Sequence, residues 1–276
     1  MTQAPTVPGI NVMLMGGTGS GKTYSLRTFL DAGITPFVLF TEPGQEVLSD
    51  LPPEKCHWAY IPPVQVSLDS LMDRIDKVAK LSLESLSKMV DSTRSLDNRF
   101  LKIVQTINNF KCDRTGEAFG NVGSWGHDRV LVIDSLSGLS LAAMANVIGN
   151  KPVASMADWG MAQSGLEQLI NWCCMNTLSH FVLIAHTERE VDEVMGGQQI
   201  MASTLGRKLA PKLPRFFSDV ILARRDGTKF TWNTATANVD TKARNLPIAD
   251  GLPADFGPLI KLWKSRQETA RQAAAS

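Results

Sequence analysis

The chain is predicted to be an α/β protein with a mainly parallel central sheet flanked by helices and a C-terminal β-hairpin extension. Three observations predict it. Four apolar runs, at residues 10–15, 36–40, 129–134 and 180–186, are nearly continuous, as expected for strands covered on both faces. Between the later runs, Leu166, Leu169, Ile170 and Cys173 recur at helical spacing, which gives a crossover helix. A glycine-rich turn, GGTGSG at residues 16–21, joins the first run to a segment of helical rhythm.

In chain order, residues 10–15 form the first strand, and 24–30 suit a helix closing near Gly33 before the second strand at 36–40. Residues 68–107 read as helix, with Leu68, Leu71, Met72, Ile75 and Val78 on one stripe and Leu96, Phe100, Ile103 and Ile107 on another. Residues 111–126 read as a Gly-rich surface loop leading to the third strand at 129–134. The fourth strand is 180–186. A fifth, 218–225, is followed by residues 228–235, with Asp226-Gly227 as a hairpin signal between them. Strand, helix and strand with parallel neighbours imply right-handed βαβ units. With no repeat or low-complexity linker, the chain reads as a flexible N-terminus at 1–9, one domain at 10–263 with a helical insertion at about 62–126, and a polar tail at 264–276 that is a fraying helix or disordered.

Composition restricts the function. A formal net charge of +1 means no global field draws the chain to nucleic acid, so DNA binding would need a local basic surface. Cys56, Cys112, Cys173 and Cys174 show no CxxC spacing and read as reduced thiols. Cys56, His57, Cys112 and His127 fit no zinc spacing. Without a signal-peptide pattern or a run long enough for a membrane span, the expected location is the cytoplasm, with no membrane partner.

Gly16, Gly21, Lys22 and Thr23 satisfy G-x-x-x-x-G-K-[ST] between a predicted strand and a predicted helix, the context in which that pattern binds phosphate. The loop amides would surround a polyphosphate, with Gly17, Thr18, Gly19, Ser20, Gly21, Lys22, Thr23 and Tyr24 as the cradle. Lys22 would reach the β and γ phosphates and the Thr23 hydroxyl would ligate Mg²⁺. The implied cofactors are a nucleoside triphosphate and Mg²⁺. Asp134, closing the third strand, is the second expected metal ligand. Glu42, just after the second strand, stands where parallel strands converge on a ligand and is the candidate for orienting or deprotonating water. His186, ending the fourth strand, is the candidate for reporting γ-phosphate status to the loop beyond it.

Together with TKARN at residues 241–245, these motifs resemble the RecA-like ATPase core, and more closely the phage P-loop ATPases of single-strand annealing and recombination. ADWGM at 157–161 is a softer feature of that likeness. The resemblance implies a strand order of the 5-1-4-3-2 kind, ATP as the nucleotide, and catalysis at subunit interfaces of a homo-oligomeric ring or filament. It implies that Lys242 and Arg244 point at the nucleotide of the next subunit, where an arginine would stabilise charge on the transferring phosphoryl. The segment after His186 takes the place of the DNA-contacting loop. Gly196, Gly197, Gln198, Arg207, Lys208 and Lys212 are its candidates for single-stranded DNA. A single-strand-binding protein is the further partner implied, in a bacterial host cytoplasm. Two other functions fit the motifs: a small-molecule P-loop kinase, and an assembly switch that binds ATP and hardly hydrolyses it.

Overall fold

The computed structural model describes residues 7–63, 68–69, 72, 76, 98–149, 154–191 and 197–275. In chain order, β1 (Asn11–Gly16) leads through the glycine turn into α1 (Lys22–Ser25) and α2 (Thr28–Asp31), then β2 (Thr35–Phe40) and β3 (His57–Tyr60). Next come α3 (Arg99–Asn108), β4 (Phe110–Lys111), β5 (Ala118–Gly120) and β6 (Arg129–Asp134). Helices α4 (Leu136–Ile148) and α5 (Met156–Met175) precede β7 (His180–Val191) and β8 (Gln198–Ala202). The chain ends with α6 (Gly206–Leu209), a 3₁₀ segment (Ala210–Phe216), β9 (Asp219–Asp226), β10 (Lys229–Asn233), β11 (Leu252–Pro253) and α7 (Gly257–Ala275).

Among the described residues the main sheet runs β11-β10-β9-β1-β7-β6-β2-β3, with β8 pairing β7. The six strands from β9 to β3 are parallel, and β10 and β11 extend the sheet antiparallel. The five strands read from the sequence therefore lie in the order 5-1-4-3-2. Successive side chains of a strand face opposite ways, so each parallel strand feeds two cores. Met13, Leu39, Ile133 and Leu183 pack toward α3, α4 and α5. Leu14, Val38, Val132 and Ile184 pack toward Phe29 of α2 and Leu259, Ile260 and Trp263 of α7.

The structure departs from the sequence reading at three places and bears on two more, the insertion and the tail. The helix after the glycine turn is broken at Leu26 and Arg27, where amides bond three residues back, Leu26 to Thr23 and Arg27 to Tyr24. Its end is as expected: Gly33 N–H meets Leu30 O and Ile34 N–H meets Phe29 O, a Schellman pattern. Residues 111–126, expected as a surface loop, are largely exposed but partly folded. Trp125, Phe119 and Phe110 gather on Phe37, and this apolar attraction folds a small β4–β5 sheet against the core. Of the insertion expected to be helical, described residues 99–108 form α3, and much of 64–97, including Leu71, Ile75, Val78 and Leu96, lies outside the described residues. The crossover between β6 and β7 holds two helices. The second begins with a capping box in which Asp158 N–H donates to Ser155 Oγ and Ser155 N–H to Asp158 Oδ2, so Asp158 of the ADWGM stretch is a helix cap. Finally, the polar tail continues α7 to Ala275.

Candidate nucleotide site

Register places the chemistry. Gly16, the last residue of β1, pairs with His186 on β7 and Ala223 on β9, while Asp134 pairs with Phe40 of β2, one residue before Thr41 and two before Glu42. The carboxyl-side ends of the parallel ladders of five strands thus meet, the place where α/β sheets bind ligands. Gly21 turns the loop into α1 with φ of 82°, a conformation that side-chain-bearing residues rarely adopt. A β-carbon there would also lie 2.7 Å from Phe230 Cδ1. Because α1 is a single turn, its dipole adds little, and the loop amides with Lys22 supply the positive field.

Lys22 is buried, and its ammonium donates to the carbonyls of Gly16 and Gly17, each at 2.9 Å. Burial pulls its pKa below the ordinary lysine value, with Asp134 and Glu42 opposing. The Thr23 hydroxyl donates to Asp134 Oδ2 at 2.6 Å. Burial pushes the Asp134 carboxyl up, against the Thr23 hydrogen bond and the Lys22 charge. A half-buried carboxylate facing a hydroxyl is a hard oxygen pair that fits Mg²⁺. Among the described residues no group of three or more His, Cys, Asp or Glu could hold a metal alone, so phosphate oxygens and water would complete the sphere.

Glu42 completes the cluster. Its Oε2 accepts from the Ser135 hydroxyl at 2.5 Å and lies 3.6 Å from His186 Nε2. The His186 contact, followed by Ser135 and Lys22, holds this carboxyl below the usual range, while burial works the other way. Ser135 is itself fixed by Thr41, whose hydroxyl donates to Ser135 O and accepts its N–H, both at 2.9 Å. An ionised Glu42 can accept a proton or orient water, so Lys22, Thr23, Glu42, Asp134 and His186 form one constellation.

Sequence reasoning missed Thr41 and Ser135, polar residues next to strand ends that looked like ordinary loop. It also missed Arg225, at the end of β9, whose guanidinium stands 4.0 Å from the β-carbon position of Gly19. Beside the loop, Tyr24, Thr28, Phe230, Leu252, Pro253 and Ala254 line a cavity of about 520 Å³ suited to a flat apolar base. A groove of about 560 Å³ between Asp31 and Lys261, Lys264 and Glu268 is remote from these groups and mixed in charge.

The remaining candidates lie elsewhere. Lys242 bridges Val220 near the start of β9, and Arg244 N–H donates to Asp219, so both stand at the end of the sheet opposite the chain's own phosphate loop. Lys242 Nζ donates to Phe217 O at 2.6 Å, and burial lowers its pKa. Part of the segment after His186, expected as a loop, is an antiparallel pairing of β7 with β8 in which Gln198 faces Val191. Gly197 immediately precedes β8, and Gly196 lies outside the described residues. Arg207 and Lys208 belong to α6, and Lys212 to the following 3₁₀ segment, where its Nζ is 4.0 Å from Glu167 on α5.

A parallel sheet of order 5-1-4-3-2, a glycine loop closed by Lys22 and Thr23, and Asp134 on a neighbouring strand define a P-loop NTPase domain. A family model described as AAA domain matches residues 9–245, and the chain belongs to that family. No curated protein matches it. One solved structure with similarity is described as a prototypical ATPase from the type III secretion system of pathogenic bacteria. It is 13% identical, with a TM-score of 0.36 over 79% of this chain and 53% of that one. The chain therefore spans about half the length of that protein. No helix among the described residues is long and apolar enough to cross a membrane.

Proposed function

We propose that the protein is a Mg²⁺-dependent ATPase that assembles on single-stranded DNA and promotes annealing or strand exchange in phage recombination. One observation carries the reading: Glu42, beside the metal pair, contacts His186, and from His186 the strand β7 runs without a break into its pairing with β8. Glu42 takes a proton from the water that attacks the γ-phosphorus as the bond to the β-phosphate oxygen breaks and ADP leaves. Thr23 and Asp134 would hold Mg²⁺, which would offset phosphate charge, and Lys22 balances the rest. The base occupies the cavity between Tyr24 and Phe230. His186, losing or gaining its contact with Glu42 as the γ-phosphate departs, shifts this strand pair and the basic residues Lys208 and Lys212 that meet DNA. Arg244, remote from its own loop, completes the site of the next copy in a ring or filament. A small-molecule kinase would instead close a cationic lid over the loop, yet Arg215 is paired with Glu167 on α5.

The test is a labelled single-stranded oligonucleotide titrated at low salt with and without Mg²⁺·ATP. Wild type should shift it in a nucleotide-dependent way, and Lys22→Ala should lose both the dependence and the assembly. No strand binding under any nucleotide condition refutes the DNA reading. Strand binding without hydrolysis refutes the ATPase and leaves a switch.

A further inference from the structure

We propose that Arg266 and Asp219 are positioning residues that hold the turn 242–245 so that Arg244 enters the nucleotide site of a neighbouring copy. The inference rests on the proposed assembly with nucleotide at subunit interfaces. Gly16 pairs with Ala223 and Val12 with Asp219, so Asp219 lies four residues down the strand from the phosphate loop, or about 13 Å at strand rise. The turn that follows Lys242 sits at that lower level, bridged to Val220 by Val220 N–H to Lys242 O and Lys242 N–H to Val220 O. Arg244 therefore cannot serve its own phosphates.

Around Arg244, the rest of the turn is tied down. The fully buried Asp219 carboxylate accepts Arg244 N–H at 2.8 Å and Asn245 N–H at 2.7 Å on one oxygen, and Asn245 Nδ2 at 2.6 Å on the other. From α7, Arg266 donates Nη2 to Arg244 O and Nη1 to Asn245 Oδ1, both at 2.8 Å. That helix is itself anchored: Leu259 and Ile260 are in the core and Trp263 Nε1 donates to Pro8 O. Lys242 is committed to Phe217 O. Arg244 alone keeps an exposed guanidinium with no side-chain hydrogen bond among the described residues. It lines a cavity of about 350 Å³ with Arg215 and Arg266.

A buried carboxylate saturated by amides and a two-bond guanidinium fork both fix backbone position, which a loop of this kind otherwise leaves loose. A cation acting in a transition state needs that fixity, because a misplacement of about 1 Å costs about a hundredfold in rate. Arg266 acts through Arg244 and touches no phosphate.

The test is steady-state ATPase with mixed subunits. Arg266→Ala should lower kcat by about 10- to 100-fold while the KM for Mg²⁺·ATP stays within about twofold, since its own loop is intact. Asp219→Asn, isosteric but presenting an NH₂ to Asn245 Nδ2, should give the same split. Glu42→Gln copies keep an intact Arg244 turn and lack hydrolysis. Mixed 1:1 with Arg266→Ala, they create sound sites at about a quarter of interfaces, so activity should return to about a quarter of wild type. Arg244→Ala mixed with Glu42→Gln is the control. Wild-type kcat in Arg266→Ala overturns the proposal. So does low activity that mixing leaves unrestored while the Arg244→Ala mixture recovers, since the defect is then general damage. If the Arg244→Ala mixture also fails, the interface reading itself falls and takes this inference with it.

Discussion

Replacing Gly16 by alanine tests whether the phosphate loop is placed by a close approach of two strands. A β-carbon at Gly16 would stand 2.5 Å from Ala223 O and 2.7 Å from Ser20 Oγ, against an ordinary contact of 3.4 Å or more. The obstacle is a main-chain carbonyl, so β1 and β9 must part by nearly an ångström where Gly16 faces Ala223. Overpacking of this kind costs about 1–3 kcal/mol, and the loss of one ladder hydrogen bond adds about 1 kcal/mol. The sum of about 2–4 kcal/mol should lower Tm by about 5–15 °C in a chain of this size. Gly17 is the comparator, since its β-carbon would meet nothing within 4 Å. Gly17→Ala should stay within about 0.5 kcal/mol of wild type. Thermal unfolding followed by circular dichroism, with Mg²⁺·ATP binding measured by a fluorescent analogue, checks both. Equal Tm values for the two variants, or a larger loss at Gly17, would refute the reasoning that backbone approach, rather than glycine flexibility in general, requires residue 16.

Glu42→Gln should retain Mg²⁺·ATP binding and lose about 10²–10⁴ in kcat, measured by phosphate release, and full activity would remove Glu42 as the base. Burial, with His127 and Lys264 adding to it, pulls the His180 pKa down to about 3. The unfolded chain therefore takes up a proton there that the folded one does not, and stability should fall from about pH 6.5 toward pH 3 by up to about 1.4 kcal/mol per pH unit. His180→Asn, which keeps an acceptor for Ile10 N–H, should flatten that limb in urea titrations at several pH values. Burial pushes the Cys56 thiol up to about 11 and the Cys174 thiol up to about 12, with Cys173 raised further. Alkylation by iodoacetamide at pH 8 should be slow in the native protein and fast in urea, and rapid native labelling at any of these three would show that its burial is wrong.

The readable part of the site was that written in local pattern. G-x-x-x-x-G-K-T needs no knowledge of neighbours, because a phosphate cradle is built from consecutive amides and two side chains. Asp134, Glu42 and His186 were readable because apolar strands end at them and parallel strand ends converge. Ser135 and Thr41 were not, since a hydroxyl beside a strand end has no pattern until its partner is known. Arg225 was hidden for a similar reason: it approaches Gly19 only because β9 lies next to β1. The aromatic packing on Phe37 turned part of an expected loop into folded structure, and no spacing announces residues that meet across the sheet.

What the amino-acid order determined by itself was the set of buried strands, the phosphate loop and the identity of the charged residues at strand ends, each set by contacts within a few positions. What only tertiary structure decided was which of those ends face one another and which face away. Parallel register brought Lys22, Thr23, Glu42, Asp134 and His186 together, and the same register put Arg244 at the opposite end of the sheet. Pairing between distant segments depends on burial and hydrogen bonding summed over the whole core, and no local window contains that sum.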